Sequence, residues 1–321
     1  HTLAEGRKMV EVARRNGRVV QMGTQQRSGA HYKEAVDLIQ SGKIGKVTHV
    51  HCWNYENFSP SGIGLFPPSE VPEGLDWNLW LGPAPKVPFE GNRFIWSFRW
   101  FWDYSGGMVT DWGTHHLDVV QWAMDVKGPR TVYAVGLRGV LEDNRETPDT
   151  LEVVFEYPEF ICTYSNRKCN RGSNFYRSYG VEFFGTDATL YINREGFEVM
   201  PETAGVYNVE KPPHLRQVAS ESYIPWIDKG RDRRSRAEYR VGAESVLHLA
   251  HVRNFLDCVK SRQHPVSDVE TGYYSTSGPL LSNIALKLGR KIEWDLKNEQ
   301  IVGDPAANRL LTKQYRSPWK V

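Results

Sequence analysis

The sequence has few cysteines and no Cys-x-x-Cys pair among its 321 residues. The four cysteines are spread along the chain, at Cys52, Cys162, Cys169 and Cys258. Structural zinc sites and iron–sulfur clusters usually need closely spaced cysteine ligands. A disulfide framework needs more cysteines than these in a chain of this length. The composition therefore predicts neither a metal site of these types nor a fold that disulfides hold together.

Long apolar runs and a strong charge of one sign are also missing. No apolar run approaches the roughly 20 residues that a membrane-spanning helix needs. The 40 Lys and Arg residues nearly balance the 38 Asp and Glu residues, which leaves a net charge of +2. The one basic run, at residues 229–236, is interrupted by Asp232 and is predicted to be a solvated loop. These features argue against a nucleic acid or a membrane as the main partner.

The sequence also lacks a Gly-x-Gly-x-x-Gly fingerprint for dinucleotides. Yet its first part has the alternating pattern of an α/β fold. Residues 2–16 are predicted to form a helix, residues 18–23 a buried parallel strand, and residues 30–41 a second helix. One strand cannot form a sheet alone, so we expect residues 1–45 to be the edge of a parallel α/β sheet whose other strands precede His1.

Residues 46–321 are predicted to form an α/β domain with an open, mainly antiparallel sheet. Strands are predicted at residues 47–54, 131–141, 151–157, 160–165, 181–184 and 189–192. Helices are predicted at about 108–125, 244–260 and 279–288. The sheet is expected to have one covered face, and the late helices and the tail are expected to pack back on the first domain. The fold class is therefore α/β plus α+β.

The strongest chemical signal follows the Gly106-Gly107 pair. Asp111 and His115 are four residues apart, which is one helical turn, so both side chains are expected on one helix face at hydrogen-bonding separation. A carboxylate that orients an imidazole is the minimum equipment for proton transfer near neutral pH. Two other interpretations stay open: a helix N-terminus with packed histidines, and a metal site that includes Asp118. We predict no metal, because no further cluster of suitable ligands is apparent.

Aromatic residues crowd around this stretch. Seven of the 11 tryptophans lie between Trp77 and Trp122, and aromatic residues alternate from Phe94 to Trp102. Flat rings beside polar groups suit the apolar faces of sugar rings, although alternating aromatic residues are also typical of a strand that buries them in a core. The predicted substrate-binding residues are Trp100, Tyr104, His116 and Asp118.

A polar turn follows the predicted strand at residues 18–23. The carboxyl ends of parallel strands form the sheet edge at which open α/β proteins bind their ligands. Gln25, Gln26 and Arg27 are therefore predicted to contact a cofactor, although turns of this composition are also common without a ligand.

These segments together resemble the glucose–fructose oxidoreductase, inositol dehydrogenase and MocA (Gfo/Idh/MocA) family over essentially the whole chain. The resemblance rests on motifs at residues 1–6, 20–27, 41–47, 106–115 and 254–259. The Gly-Gly and Asp-x-x-x-His element is the most specific of them. In this family a Rossmann domain binds NAD or NADP, a domain with an open sheet covers it, and sugars or cyclitols bind between the two.

The resemblance implies that Asp111 and His115 are the catalytic residues. His115 would accept the proton of a sugar hydroxyl, Asp111 would orient the imidazole, and NAD or NADP would accept the hydride. The resemblance also implies that residues 1–45 are the C-terminal part of the Rossmann dinucleotide-binding domain, whose upstream part, with a family lysine a few residues before His1, is missing. The enzyme is therefore expected to be active in the full-length protein and inactive as this fragment. The resemblance also implies a homo-oligomer, dimer or tetramer, that forms through the open sheet. It does not specify the sugar, the choice of cofactor, or a cytoplasmic or periplasmic location.

Two alternative functions stay open at this point. Some relatives cleave glycosidic bonds through a transient redox step in which NAD is recycled. A non-catalytic sugar-binding module is the other alternative, because the chain lacks the glycine-rich loop that would hold a cofactor.

Overall fold

The computed structural model describes residues 1–172, 177–202 and 244–320. The basic run at residues 229–236 lies outside the described residues. None of the described helices is long and apolar enough to cross a membrane.

The N-terminal segment contains two helices but not the predicted strand. Helix α1 spans Leu3–Arg15 and begins with a capping box, and helix α2 spans Ala30–Gln40. The prediction of a buried strand at residues 18–23 is wrong, because this segment forms only one isolated bridge, between Gln21 and Asp268. A strand forms only where its backbone groups pair with a neighbouring strand, and among the described residues this segment makes such pairs only with Ser267 and Asp268.

Nine strands form one open sheet in the described part of the chain. They are β1 (Val47–Tyr55), β2 (Thr131–Leu137), β3 (Thr150–Glu156), β4 (Ile161–Arg167), β5 (Tyr179–Gly185), β6 (Ala188–Asn193), β7 (Gly196–Pro201), β8 (Ile292–Asp295) and β9 (Gln300–Ile301). Their order is β7-β6-β5-β1-β4-β3-β2-β8-β9, and only β1 and β4 run parallel. The prediction of a mainly antiparallel sheet is confirmed, including the hairpin of β5 and β6.

The helices that pack on or near the sheet include α3 (Trp77–Leu81), α4 (Trp112–Ala123), α5 (Glu244–Ser261), α6 (Val269–Leu288) and α7 (Pro305–Asn308). Helices α4 and α6 cover the inner face of the sheet, where Leu117 and Leu281 are fully buried with Phe155. Gly278 lets the two layers approach, since a Cβ atom there would lie 3.1 Å from Leu117. Along each strand, every second side chain points into this core.

The outer face of the sheet is not covered by a helix of the described residues. Its exposed apolar residues are Tyr133, Val135, Leu137, Val154 and Ile161, which are between 41% and 57% exposed. They alternate along β2, β3 and β4 with the buried residues of the inner face. The prediction of one covered face is therefore confirmed.

Two predicted helices differ from the structure. Residues 94–102, for which a strand was the alternative interpretation, form no strand and include a 3₁₀ turn at Ser97–Trp100. Helix α6 begins at Val269 rather than near Pro279, because Asp268 accepts a hydrogen bond from the Glu270 N–H (3.1 Å) and the proline lies inside the helix. The apolar stripe of α5 points outward, with its exposed residues being Leu249, Val252, Leu256 and Val259.

Candidate functional site

The loop before α4 is held by close contacts that require glycine. Gly107 has φ +76°, and its N–H donates to the Arg99 carbonyl (3.0 Å). A Cβ atom on Gly107 would lie 2.9 Å from Thr147, and one on Gly106 would clash with the Asn283 amide. The glycine pair thus lets the loop lie against α6 and place Asp111 at the start of α4.

Asp111 lies at the N-cap position of α4, not inside the helix as predicted. Its carboxylate accepts a hydrogen bond from Arg99 (Nε to Oδ2, 2.8 Å), and no hydrogen bond joins it to His115 among the described residues. The guanidinium of Arg99 also packs on the Trp96 ring, 4.4 Å from the ring centroid. Asp111 and His115 thus share one end of α4, but the Asp111 carboxylate is bound to Arg99 and not to His115.

His115 is partly exposed, one turn into α4. Its Nδ1 atom has no hydrogen-bond partner among the described residues. Burial, reinforced by the positive charge of Arg194 and by His248 and His251, lowers the pKa of His115 to about 4. The imidazole is therefore neutral near pH 7, and a neutral imidazole has one nitrogen that can accept a proton.

Two histidines of α5 lie beside His115, and sequence analysis missed both. The Gln25 amide donates to His248 Nε2 (3.1 Å), and His251 Nε2 donates to the Met22 carbonyl (2.8 Å). Their spacing of three residues on one helix face was the available signal. Gln25 is thus hydrogen-bonded to His248, one of the groups that lower the pKa of His115.

Gln26 and Arg27 are both engaged with protein groups. Gln26 is 1% exposed and donates to the Tyr32 hydroxyl (2.9 Å). Arg27 is bound to Asp118, whose two carboxylate oxygens lie 2.9 and 2.8 Å from its Nε. The side chains of Gln26 and Arg27 therefore make contacts within the protein. Asp118, a predicted substrate residue, is fully buried.

The other predicted substrate residues lie around the same end of α4, mostly below the surface. Trp100 is 2% exposed, and its ring lies 5.1 Å from both Arg145 and Lys168. His116 is 1% exposed, and burial lowers its pKa to about 3. Tyr104 is partly exposed, but its hydroxyl is buried. Asp111 and His115 thus share one end of α4 and Gln25 is joined to His248, while Trp100 and His116 are buried.

A cavity of about 710 Å³ adjoins the same loop from its other side. Trp102 and Gly106 line one wall, and Asn283 and Lys287 line another. Neither Asp111 nor His115 lines this cavity. Among the described residues, no three His, Cys, Asp or Glu side chains are placed to hold a metal ion.

Two family models match this sequence. One, described as "Oxidoreductase family, C-terminal alpha/beta domain", matches residues 28–136 and 246–321, which is more than half of the chain. The other, described as "GFO/IDH/MocA C-terminal domain", matches residues 86–191. No curated protein sequence matches the chain.

Solved structures of dehydrogenases share the fold. The WlbA dehydrogenase from Bordetella pertussis, in complex with NADH and UDP-GlcNAcA, has 14% identity and a TM-score of 0.55, over 92% of this chain and 69% of its own. An NAD binding oxidoreductase from Klebsiella pneumoniae has 14% identity and a TM-score of 0.60, over 91% and 70%. Levoglucosan dehydrogenase, in complex with NADH and levoglucosan, has 14% identity and a TM-score of 0.56, over 91% and 70%. At this identity the likeness establishes the fold.

Proposed function

The chain belongs to the Gfo/Idh/MocA oxidoreductase family, and from this premise we propose that it acts in NAD(P)-dependent hydride transfer at a hydroxyl carbon of a sugar or cyclitol. The observation that carries the proposal is the state of His115. It is partly exposed, its Nδ1 atom is buried without a hydrogen-bond partner among the described residues, and its pKa is lowered to about 4. The imidazole is therefore neutral near pH 7 and keeps one nitrogen that can accept a proton, while the lowered pKa disfavours the protonated form.

In this proposal His115 takes the O–H proton when the alcohol becomes a carbonyl. The nearby charge of Arg194 disfavours the imidazolium that forms, so the bound proton is readily returned when the carbonyl is reduced. Asp111 would offset the imidazolium charge if its carboxylate turned from Arg99, to which only Oδ2 is bound. Arg99 is therefore proposed to hold Asp111 in place between turnovers.

NAD or NADP, when bound, supplies the nicotinamide ring that accepts or returns the hydride. The side chains of Gln26 and Arg27 are occupied by Tyr32 and Asp118, and no glycine-rich fingerprint occurs in the sequence. The described residues therefore do not fit a pyrophosphate-binding site. The cofactor proposal is supported by family membership, and no step is assigned to Gln26 or Arg27.

We also propose that copies of the chain associate through the outer face of the sheet. The exposed apolar side chains of β2, β3 and β4 form one surface there. Exposed apolar groups of this kind commonly mark protein interfaces. The substrate is a small molecule, so no nucleic acid or membrane partner is proposed.

The test is an assay of the full-length protein with NAD⁺ or NADP⁺ and a panel of sugars and cyclitols, read as formation of reduced nicotinamide. We expect His115→Ala to lower turnover by about 10²- to 10⁴-fold, the usual contribution of a general acid–base group. His264→Ala is the matched control, because His264 is exposed and lies in the loop between α5 and α6.

Equal turnover of the His115→Ala variant and the parent chain would assign the proton transfer to another group. Release of a sugar from a glycoside without net reduction of the cofactor would favour the glycosidase alternative. Sugar binding without either reaction, in the presence of both cofactors, would instead favour a binding module.

A further inference from the structure

Trp96 is unusually exposed for a tryptophan in the aromatic region before α4. It is 67% exposed, and Ile95 before it is 65% exposed. Ile95 also has φ +50°, a left-handed conformation that costs free energy for a β-branched residue. Strain of this kind persists where surrounding structure imposes it and is concentrated at functional sites. The backbone thus holds Trp96 outward instead of letting it pack into the aromatic cluster.

Arg99 connects this tryptophan to the candidate catalytic residues. Its Cζ atom lies 4.4 Å from the centroid of the Trp96 ring, and its Nε lies 2.8 Å from Asp111 Oδ2. Nη1 donates to the Trp96 carbonyl (2.7 Å), while Nη2 has no partner among the described residues. One face of the indole therefore carries the guanidinium, and the large exposed fraction leaves the other face open.

We propose, on the basis of the proposed sugar oxidation, that Trp96 and Arg99 form a second sugar subsite and that the substrate is a glycoside with at least two rings. Arg99 lies between Asp111 and the indole, so a ring stacked on the open face of Trp96 cannot be the ring that reacts beside Asp111. The stacked ring must be its neighbour along the substrate. Indole faces suit the apolar faces of sugars, and the Nη2 donors of Arg99 suit hydroxyl oxygens of the linked rings.

We assign the exposed face of Trp96 to a sugar ring rather than to a protein partner, because the charged Arg99 guanidinium connects this tryptophan to Asp111. The Phe98 ring also lies 5.3 Å from the Arg99 Cζ atom, and its centroid is 6.1 Å from that of Trp80, so further aromatic rings adjoin Arg99. Protein interfaces place their apolar anchors in a patch that excludes water. Here the exposed indole is instead stacked on a guanidinium that pairs with a partly exposed carboxylate.

The test is calorimetric titration of the 321-residue chain with glucose, methyl glucoside, maltose and cellobiose. We expect at least one disaccharide to bind more tightly than the monosaccharides. Trp96→Ala should lower the affinity for that disaccharide by about 3- to 10-fold, the effect expected for one aromatic stacking contact. Trp96→Phe keeps an aromatic face and should retain most of it. Trp319→Ala is the matched control, because Trp319 is also exposed (40%) but lies in the C-terminal tail.

Three outcomes would overturn the subsite. They are equal affinity for single-ring and two-ring sugars, no binding of any of these sugars, and a Trp96→Ala variant that binds disaccharides as the parent does. If Trp96→Ala instead weakens self-association in sedimentation experiments and leaves sugar affinity unchanged, the surface belongs to a second copy of the chain. These readouts are independent of hydride transfer, so failure of the subsite is distinguishable from failure of the dehydrogenase proposal.

Discussion

Arg27 and Asp118 form a buried ion pair that joins the N-terminal segment to α4. The Asp118 side chain has no exposed surface and also accepts a hydrogen bond from the Ser275 hydroxyl (2.5 Å). Burial raises the pKa of Asp118, and the charge of Arg27 together with these hydrogen bonds opposes that rise. Three separate parts of the chain, at residues 27, 118 and 275, thus meet at one carboxylate.

The first prediction concerns this pair. Asp118→Asn would leave the Arg27 charge buried without its carboxylate, so we expect a loss of about 3–5 kcal/mol in the free energy of unfolding. Urea denaturation measures it. The matched control is Asp37→Asn, which breaks an exposed pair with Lys33 on α2 and should cost less than about 1 kcal/mol. Similar losses for the two variants would contradict the structural role of Asp118.

The second prediction concerns acid stability. The pKa values of His115 and His116 are lowered to about 4 and about 3, so the unfolded chain binds protons at pH values where the folded chain does not. Stability should therefore fall as the pH drops below about 6.5, by up to about 1.4 kcal/mol per pH unit for each histidine. Urea midpoints measured between about pH 7 and pH 4.5 test this.

One variant tests whether a buried histidine is responsible for the acid effect. His116→Gln removes a buried titrating group and should flatten the pH dependence. A slope that is the same in His116→Gln and in the parent chain would place the proton uptake elsewhere.

The third prediction concerns the glycine loop. Gly107→Ala places a Cβ atom 2.9 Å from Thr147 in a residue with φ +76°. We expect it to lose about 2–4 kcal/mol of stability, from left-handed strain and overpacking together. Gly289→Ala isolates the strain, because Gly289 has φ +63° but a Cβ atom there would have no neighbour within 4 Å, and it should lose about 1 kcal/mol. Equal losses, measured by thermal unfolding, would show that the contact with Thr147 does not matter.

The fourth prediction concerns the outer face of the sheet. Val135→Glu and Leu137→Glu place charges on two exposed apolar positions of β2, which are 55% and 57% exposed. If copies associate through this face, both variants should be more monomeric than the parent chain in sedimentation equilibrium, because a buried unpaired charge opposes association. Leu249→Glu on α5, at a position 72% exposed, is the control and should not change the association. If only the control changes it, the interface lies on α5.

The antiparallel sheet was predictable because its strands alternate apolar and polar residues, and this period reflects a sheet with one buried face. The α1 capping box was predictable for a similar reason, since Thr2 and Glu5 bond to backbone groups only three residues away. Residues 18–23 were not, because an apolar run forms a strand only where neighbouring strands pair with it. The outward stripe of α5 shows the same limit, since periodicity identifies a face but not what packs on it.

At the candidate site, the sequence by itself determined that Asp111 and His115 lie at the same end of one helix, because the two residues are only four positions apart. It also determined family membership, through motifs that are local in the chain. Only the tertiary structure decided which groups surround them: Arg99 on Asp111, and Arg194, His248 and His251 around His115. Likewise the ion pair of Arg27 and Asp118 joins two residues that are 91 positions apart in the sequence. Such contacts depend on how separate elements pack, and the free energy of that packing is not encoded in the spacing of residues along one element.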